Sequence, residues 1–368
     1  MPKKILLLDP ATILGGAELF CLELLEKLDR VKFKPVLVSS GQQRDYIAKI
    51  PTDIVKHLLP LTSLKLITPY KFIINLRKLK QICLKERPDL IFTNTIRAHI
   101  YGSLISRKLK IPLVWYVHDF TFPRFFARHF SNMPKAILCN SQAVREDLVQ
   151  KISAKNRFKL KAIPNGVDLE KLKHYKYCKP NFKWEQNCFY LGAIGRVARW
   201  KGYHLLIQAF AKLTTSFTNL RLIIAGAPST LKDDKKYWQE LQMQISAGKL
   251  QNRVFLVGFQ KNNWDWIKSF DLLCHTATSP EPFGRVIIEA MALGTPVIAS
   301  NLGGPAEIIQ NEKNGFLFNP SQPIELTNLL KKLISNLNLR KKIALEAKET
   351  VQQKFNLTLI VKQIEKTF

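Results

Sequence analysis

The chain has 368 residues, 46% hydrophobic and 23% charged, with a formal net charge of +29. That composition is globular and offers apolar material for two cores, at roughly 100–200 residues per domain, and it excludes a low-complexity or repeat chain. Cys21, Cys83, Cys139, Cys178, Cys188 and Cys274 are scattered without a C-x-x-C pair, which argues against a zinc site or a disulfide framework and fits a reducing cytosol.

The first element is the apolar run Ile5–Leu8 of "MPKKILLLDP", stopped by Asp9 and Pro10. A secretory apolar region needs about 7–15 residues and a membrane span about 20, so the run is read as a buried first strand and the expected location is the cytoplasm. Further strands are predicted at Pro35–Ser39, Leu90–Thr93, Leu113–Val117, Ala136–Cys139 and Lys161–Ile163, with helices near 16–29, 70–86, 97–109 and 141–152 between them. After a Lys-, Tyr- and Asn-rich segment at 170–187 a second series begins. Its predicted strands are Phe189–Ile194, Leu220–Ala225, Val254–Leu256, Leu272–Cys274, Pro296–Ala299 and Phe316–Phe318. Its helices fall near 202–215, 235–248, 263–268, 284–293, 304–310 and 323–335, followed by a helical pattern over 337–367.

Continuous apolar strands separated by helices indicate parallel sheets covered on both faces. Two such series predict an α/β protein of two Rossmann-like domains facing across a cleft. The expected boundaries are 1–169 and 188–350, with a last helix at about 355–368 packing back on the first domain. Ligands of such sheets bind beyond the carboxyl ends of the strands.

Four stretches carry candidate chemistry. In "LGGAELF" (14–20), Gly15 and Gly16 follow the first strand and precede a helix, a place where backbone N–H groups bind anions. The spacing is not G-x-G-x-x-G, and a plain glycine turn explains it equally. In "GAIGRVARWKGYHLLIQAF" (192–210), Arg196 and Lys201 lie in a strand–loop–helix turn. A forked guanidinium and an ammonium there suit a diphosphate, against the alternative of a solvated basic loop.

In "SPEPFGRVIIEAMALGTPVIAS" (279–300), Glu289 stands inside an otherwise apolar helix, with Glu281 at its mouth. A buried carboxylate needs hydrogen-bond donors. An internal arginine, Arg285 or Arg199, could supply them, or the diol of a ribose. Phe283 and Gly284 precede the helix and offer unpaired N–H groups. Finally, His118 in "LVWYVHDFTFPRFFARHF" (113–130) ends a predicted strand beside Asp119. It is read equally as a structural histidine or a site residue.

Taken together, "GGAE" (15–18), "HD" (118–119), "NS" (140–141), "PNGVD" (164–168), "GRVARWKG" (195–202), "VGF" (257–259), "EPFGRVIIEAMALGTPVIAS" (281–300), "GGPAEII" (303–309) and "NGFLF" (314–318) resemble the retaining glycosyltransferases of family 4, with the GT-B fold, over almost the whole length. The E-x7-E element of Glu281 and Glu289 also occurs in related retaining families such as glycogen and sucrose synthases.

The resemblance implies a hexosyltransferase that uses a UDP- or GDP-sugar and keeps the anomeric configuration. It gives Arg196 and Lys201 to the donor diphosphate, Glu289 to the ribose diol and Glu281 to sugar hydroxyls. Phe283 and Gly284 would offer N–H groups, Gly16 would approach the donor phosphate, and His118 would contact the sugar through side chain or backbone. No D-x-D motif is present, so neither a cofactor nor a metal is expected. The acceptor class it implies is a cell-envelope glycan or a lipid-linked oligosaccharide.

The charge adds a partner. Residues 1–185 hold 34 Lys+Arg against 15 Asp+Glu, and residues 65–110 hold eleven against two. Within the latter, Phe72, Leu76, Leu79 and Cys83 recur at helical spacing among Lys71, Arg77, Lys78, Lys80, Lys85 and Arg87. Further on, Phe120, Phe122, Phe125, Phe126 and Phe130 alternate with Arg124, Arg128 and His129. These patterns suit either an anionic membrane surface bound through residues 65–130, on the inner face of the plasma membrane, or ordinary core packing. A soluble sucrose- or glucan-synthase-type enzyme fits the basic charge less well. A non-catalytic GT-B domain binding an acidic polymer or nucleic acid leaves the Arg196, Lys201, Glu281 and Glu289 set unexplained, and no nucleic-acid module is recognisable.

Overall fold

Apolar runs too short for helices become strands, and every one pairs in parallel because a helix or crossover separates it from the next. The computed structural model describes residues 1–11, 15–61, 69–120 and 122–368. Leu14 of "LGGAELF", residues 65–68 of the basic region and Thr121 lie outside the described residues. The first sheet comprises β1 (Lys3–Leu8), β2 (Phe33–Ser39), β3 (Val55–Leu58), β4 (Leu90–Thr93), β5 (Leu113–Val117), β6 (Ala136–Cys139) and β7 (Leu160–Ala162). The second comprises β8 (Phe189–Ile194), β9 (Leu220–Ala225), β10 (Val254–Gly258), β11 (Leu272–His275), β12 (Val297–Ser300) and β13 (Phe316–Phe318).

The first sheet runs in the order β3-β2-β1-β4-β5-β6-β7 and the second β10-β9-β8-β11-β12-β13. In each, successive connections go one way and then reverse, between β1 and β4 and between β8 and β11. At such a switch point the loops leaving two adjacent strands diverge and open a crevice at their carboxyl ends.

The chain divides into two compact units, Met1–Gly166 with Leu357–Phe368, and Val167–Asn356. The helical pattern predicted continuously over 337–367 breaks at Phe355–Asn356, giving helices Leu337–Lys354 and Leu357–Glu365. The break belongs to packing rather than to a Gly or Pro signal. Phe355 buries among Phe283, Val351 and their neighbours, while Leu357, Ile360, Val361 and Ile364 bury in the first unit's core with Ile5, Leu7 and Phe20. A Cβ on Gly166 would stand 2.6 Å from the Leu357 Cα, which is why "PNGVD" has glycine there.

The sequence missed β3. Its Val55 and Leu58 are exposed at a sheet edge, so it has neither a continuous apolar run nor a buried alternate face.

The two basic, aromatic stretches resolve mostly as core. Leu79 and Cys83 are buried and Phe72 and Leu76 pack on them, so the predicted stripe of helix Pro69–Glu86 faces its own sheet. Phe122 and Phe126 are buried with Trp115, and Phe120 and Phe130 pack beside them. Of those five phenylalanines only Phe125 is fully turned out, at 77% exposure. Helix Pro69–Glu86 also exposes Tyr70, Ile73, Ile74 and Leu84 outside the predicted stripe.

Candidate functional site

In the second unit the turn after β8 is fastened to the end of β11. Gly202 has φ +67°, and a Cβ on it would fall 1.9 Å from the Thr276 carbonyl oxygen. Only glycine allows that approach. The Thr278 N–H donates to the Trp200 carbonyl at 2.7 Å, and the Thr276 hydroxyl donates to the Lys201 carbonyl at 3.1 Å. Lys201 is thereby held at the carboxyl edge of the sheet, with its ammonium 4.2 Å from the Trp200 ring centroid.

There Lys201 forms an ion pair with Glu281. His275, the last residue of β11, places Nε2 3.1 Å from the same carboxylate oxygen. Glu281 is only 9% exposed. Burial pushes its pKa up, but the Lys201 charge and the His275 hydrogen bond outweigh burial and hold the carboxyl well below the usual carboxylate range. Burial, reinforced by the Lys201 charge, lowers the His275 pKa despite Glu281.

Backbone contacts fix the carboxylate from behind. The Glu281 N–H donates to the Leu302 carbonyl, and the Gly304 N–H donates to the Glu281 carbonyl at 2.8 Å. A Cβ on Gly303 would stand 2.4 Å from the Glu281 oxygen, and one on Gly304 2.5 Å from the Phe283 Cα. The "GGP" after β12 is therefore the bed of "EPF".

The helix Arg285–Leu293 starts at Gly284, φ +97°, and ends at Gly294, φ +78°. It is apolar all round because it packs on the sheet and on helices Asn263–Ser269 and Leu337–Lys354 together. Glu289, 8% exposed, accepts from Arg285 Nη2 at 3.4 Å. Of the two internal arginines the sequence offered, Arg285 is the one that reaches it; Arg199 pairs with Glu240 and lies over the Tyr237 ring. Arg196 is 46% exposed, with Nε 3.9 Å from Asp234, which also accepts from the Ser229 hydroxyl at 2.5 Å. Asp234 is buried, but the half-exposed guanidinium touches it only at that long distance, which leaves it available to an anion. The Phe283 ring is buried against Phe355, 6.0 Å between centroids.

In the first unit, Gly15 precedes helix Gly16–Lys27, but its N–H donates to Glu18 Oε2 at 2.9 Å. Glu18, three residues on, caps the helix start, so the Gly15 amide is already committed where the sequence had offered it to an anion. His118 follows β5, with Nε2 2.7 Å from Asn94 Oδ1. Its ring packs on Tyr116 and Phe20. His99 nearby is a core histidine: it stacks on Trp115 at 4.0 Å, and burial lowers its pKa to about 3.

Sequence reasoning missed Asp9, Asn94 and His275. Each is a polar residue at the carboxyl end of a strand, and that position was the available signal.

Residues 14–171 match the family model described as Glycosyltransferase Family 4, and residues 179–350 match that described as Glycosyl transferases group 1. The chain is 30% identical to Alr3699/HepE of Anabaena, whose crystal structure in complex with UDP and glucose superposes with a TM-score of 0.82 over 99% of each chain. It is 27% identical over 309 residues to the capsular polysaccharide biosynthesis glycosyltransferase CapM of Staphylococcus aureus, covering 79% of each chain. It is 25% identical over 381 residues to the UDP-Gal:alpha-D-GlcNAc-diphosphoundecaprenol alpha-1,3-galactosyltransferase of Escherichia coli, covering 96% of this chain and 92% of that one.

Two predictions follow from the geometry. Lys201→Ala leaves Glu281 buried without its main counter-charge, so it lowers unfolding stability by about 3–5 kcal/mol; urea denaturation measures this, and a loss below about 1 kcal/mol would show that the pair carries little.

The second concerns Asp9, which burial and then the Glu18 charge raise to about 7. Unfolded, it titrates near 3.8. Its contribution to stability is fully present below that value and is lost as pH rises through about 7. Stability should therefore decline with pH over this window, by up to about 1.4 kcal/mol per pH unit, with Glu18 adding in the same sense. Asp9→Asn should flatten the decline in a pH series of urea melts.

Proposed function

The chain belongs to family 4 of the glycosyltransferases, with the GT-B fold, and from that premise we propose that it transfers a hexose from a UDP-sugar to an acceptor hydroxyl with retention of anomeric configuration. The observation that carries the reading is the buried Lys201–Glu281–His275 cluster at the switch point of the second sheet, with Arg196 in the loop after β8 and Glu289 on the helix that follows the Glu281 loop.

Arg196 and Lys201 neutralise the donor diphosphate and the charge that grows on it as it leaves, the kind of electrostatic stabilisation that is often the largest catalytic contribution. Glu289 accepts from the ribose diol, and Glu281, held ionised by Lys201, accepts from sugar hydroxyls. Phe283 and Gly284 offer N–H groups, and Gly16 and His118 are assigned to the donor phosphate and the sugar. Gly15 serves the turn.

The bond from the anomeric carbon to the diphosphate oxygen breaks. The acceptor oxygen bonds to that carbon on the same face, and the acceptor proton passes to the leaving phosphate. Two cations beside the diphosphate do what a divalent ion would do, so transfer is metal-independent. Uridine as the base is supported by the UDP complexes of HepE and the UDP-Gal in the name of the Escherichia coli relative.

The acceptor is a cell-envelope or lipid-linked glycan, a class supported by the names of CapM and of that galactosyltransferase. We place the first unit on an anionic membrane surface, through the exposed Tyr70, Ile73 and Ile74 with Lys71, Arg77, Lys78 and Lys80 on the same helix, and through the exposed Phe125. Each Lys or Arg near such a surface contributes about 1 kcal/mol. Among the described residues no helix is long and apolar enough to cross a membrane.

Thermal-shift and calorimetric titration with UDP, GDP, ADP and their sugar conjugates, with and without EDTA, tests the donor. UDP compounds should bind, EDTA should change nothing, and Glu289→Ala or Arg196→Ala should weaken UDP at least about tenfold in protein that still melts cooperatively. Binding by none of the nucleotides would remove the reading. Flotation tests the membrane: the protein should rise with anionic liposomes and not with neutral ones, and Phe125→Ser with Ile74→Ser should reduce it. Equal recovery with both, or with neither, counts against attachment.

A further inference from the structure

Four neighbouring strands of the first sheet end on polar side chains in a row. Asp9 follows β1, Asn94 follows β4, His118 follows β5 and Asn140 follows β6. Asp9, Asn94 and Asn140 are buried. Burying so many polar groups at one edge is costly unless each is hydrogen-bonded, and the bonds they make converge on His118.

Asn94 Nδ2 donates to the Ala17 carbonyl at 2.8 Å and to Asp9 Oδ2 at 3.3 Å. A carbonyl oxygen only accepts, so the amide nitrogen must face Ala17, and Asn94 Oδ1 must face His118. That oxygen lies 2.7 Å from His118 Nε2 and can only accept as well. His118 therefore carries a hydrogen on Nε2, and its neutral ring has the lone pair on Nδ1.

The Asp9 carboxylate anchors the arrangement. It accepts from the Tyr46 hydroxyl at 2.9 Å, from the Ala11 N–H at 3.2 Å and from Asn94. On the other side, Asn140 Nδ2 donates to the His118 carbonyl at 3.0 Å. Asn140 Oδ1, buried, has no partner among the described residues. An unmet buried acceptor costs about 1–3 kcal/mol, which is retained here beside a bond that holds His118.

We infer that Asp9 and Asn94 are positioning residues for His118: Asp9, together with the Ala17 carbonyl, orients the Asn94 amide, and Asn94 fixes His118 as the Nε2–H tautomer. Whatever the neutral ring contributes to a bound sugar, it then contributes as an acceptor at Nδ1, to a hydroxyl that donates. The inference rests on the glycosyltransferase reading only for the sugar; the tautomer stands or falls without it.

The test is 15N NMR of histidine-labelled protein, with the His118 signals assigned by their loss in His118→Gln. The wild-type protein should show Nε2 as the protonated nitrogen and Nδ1 as the bare one at a pH where the ring is neutral. Asn94→Leu, or Asp9→Asn should the former not fold, should shift the ring toward a mixture of tautomers. Both variants should lower kcat by roughly 10–100-fold, by analogy with the loss when a group orienting a metal-ligating histidine is removed. UDP affinity, which rests mainly on Arg196, Lys201 and Glu289, should change far less than kcat.

An Nδ1–H ring or a mixture in the wild-type protein, or a tautomer unmoved in both variants, would overturn the inference. Absence of turnover and of nucleotide binding in the wild-type protein would instead sink the glycosyltransferase reading, while the NMR result still decides the tautomer.

Discussion

The ion pair of Lys201 with Glu281 is the contact on which the carboxyl edge of the second sheet depends. The two residues lie far apart in sequence, one in the turn after β8 and one in the loop after β11, and they meet because those strands are adjacent. Two charges taken out of water gain little net stability from each other. A hydrophobic pair would hold the loops together at least as well, so stability alone does not explain the choice. What the pair supplies is a fixed ammonium and a carboxylate kept ionised, both anchored by backbone: Gly202 against Thr276, and Glu281 between Leu302 and Gly304. The glycines of "WKG" and "GGP" serve that contact through the close approaches they permit.

The two switch points differ in charge. In the second unit Arg196 and Lys201 stand at the crevice, and one of them is only loosely paired. In the first, Asp9 and Glu18 are both acidic: burial raises the cost of ionising each, the Glu18 charge adds to that of Asp9, and Arg97 eases Glu18. A diphosphate suits the former. The latter, with its row of amides and a histidine, suits neutral hydroxyls. One architecture, used twice, thus carries a cationic edge and a polar, acid-backed edge, and the difference lies in residues that follow the strands rather than in the strands themselves.

Much of this was legible in the sequence, for reasons that also mark the limits. Strands such as Leu113–Val117 and Phe189–Ile194 announced themselves as continuous apolar runs because both faces of a parallel sheet are covered. The edge strand Val55–Leu58 has no such cover and left no pattern. Glu281 and Glu289 stood out as charges in an apolar setting, and Lys201 and Arg196 as cations in a glycine-bounded turn. Their partnerships did not stand out, since no local pattern encodes a contact made between loops of different strands. The phenylalanines of 120–130 read equally as interface or core because composition does not record direction; the sheet turned four of them inward.

Asp9 shows why single buried polar residues escape such a reading. In the sequence it ends an apolar run and looks like the stop signal of a strand. In the fold it is wholly buried and accepts from Tyr46, Ala11 and Asn94, residues drawn from three separate segments. A carboxylate so placed weakens the folded state near neutral pH, since burial and Glu18 favour its proton. A stable protein with no other demand on this edge would gain by an apolar residue there. The cost is borne at a position from which a second acceptor, beside the Ala17 carbonyl, holds the Asn94 amide, and through it the His118 ring.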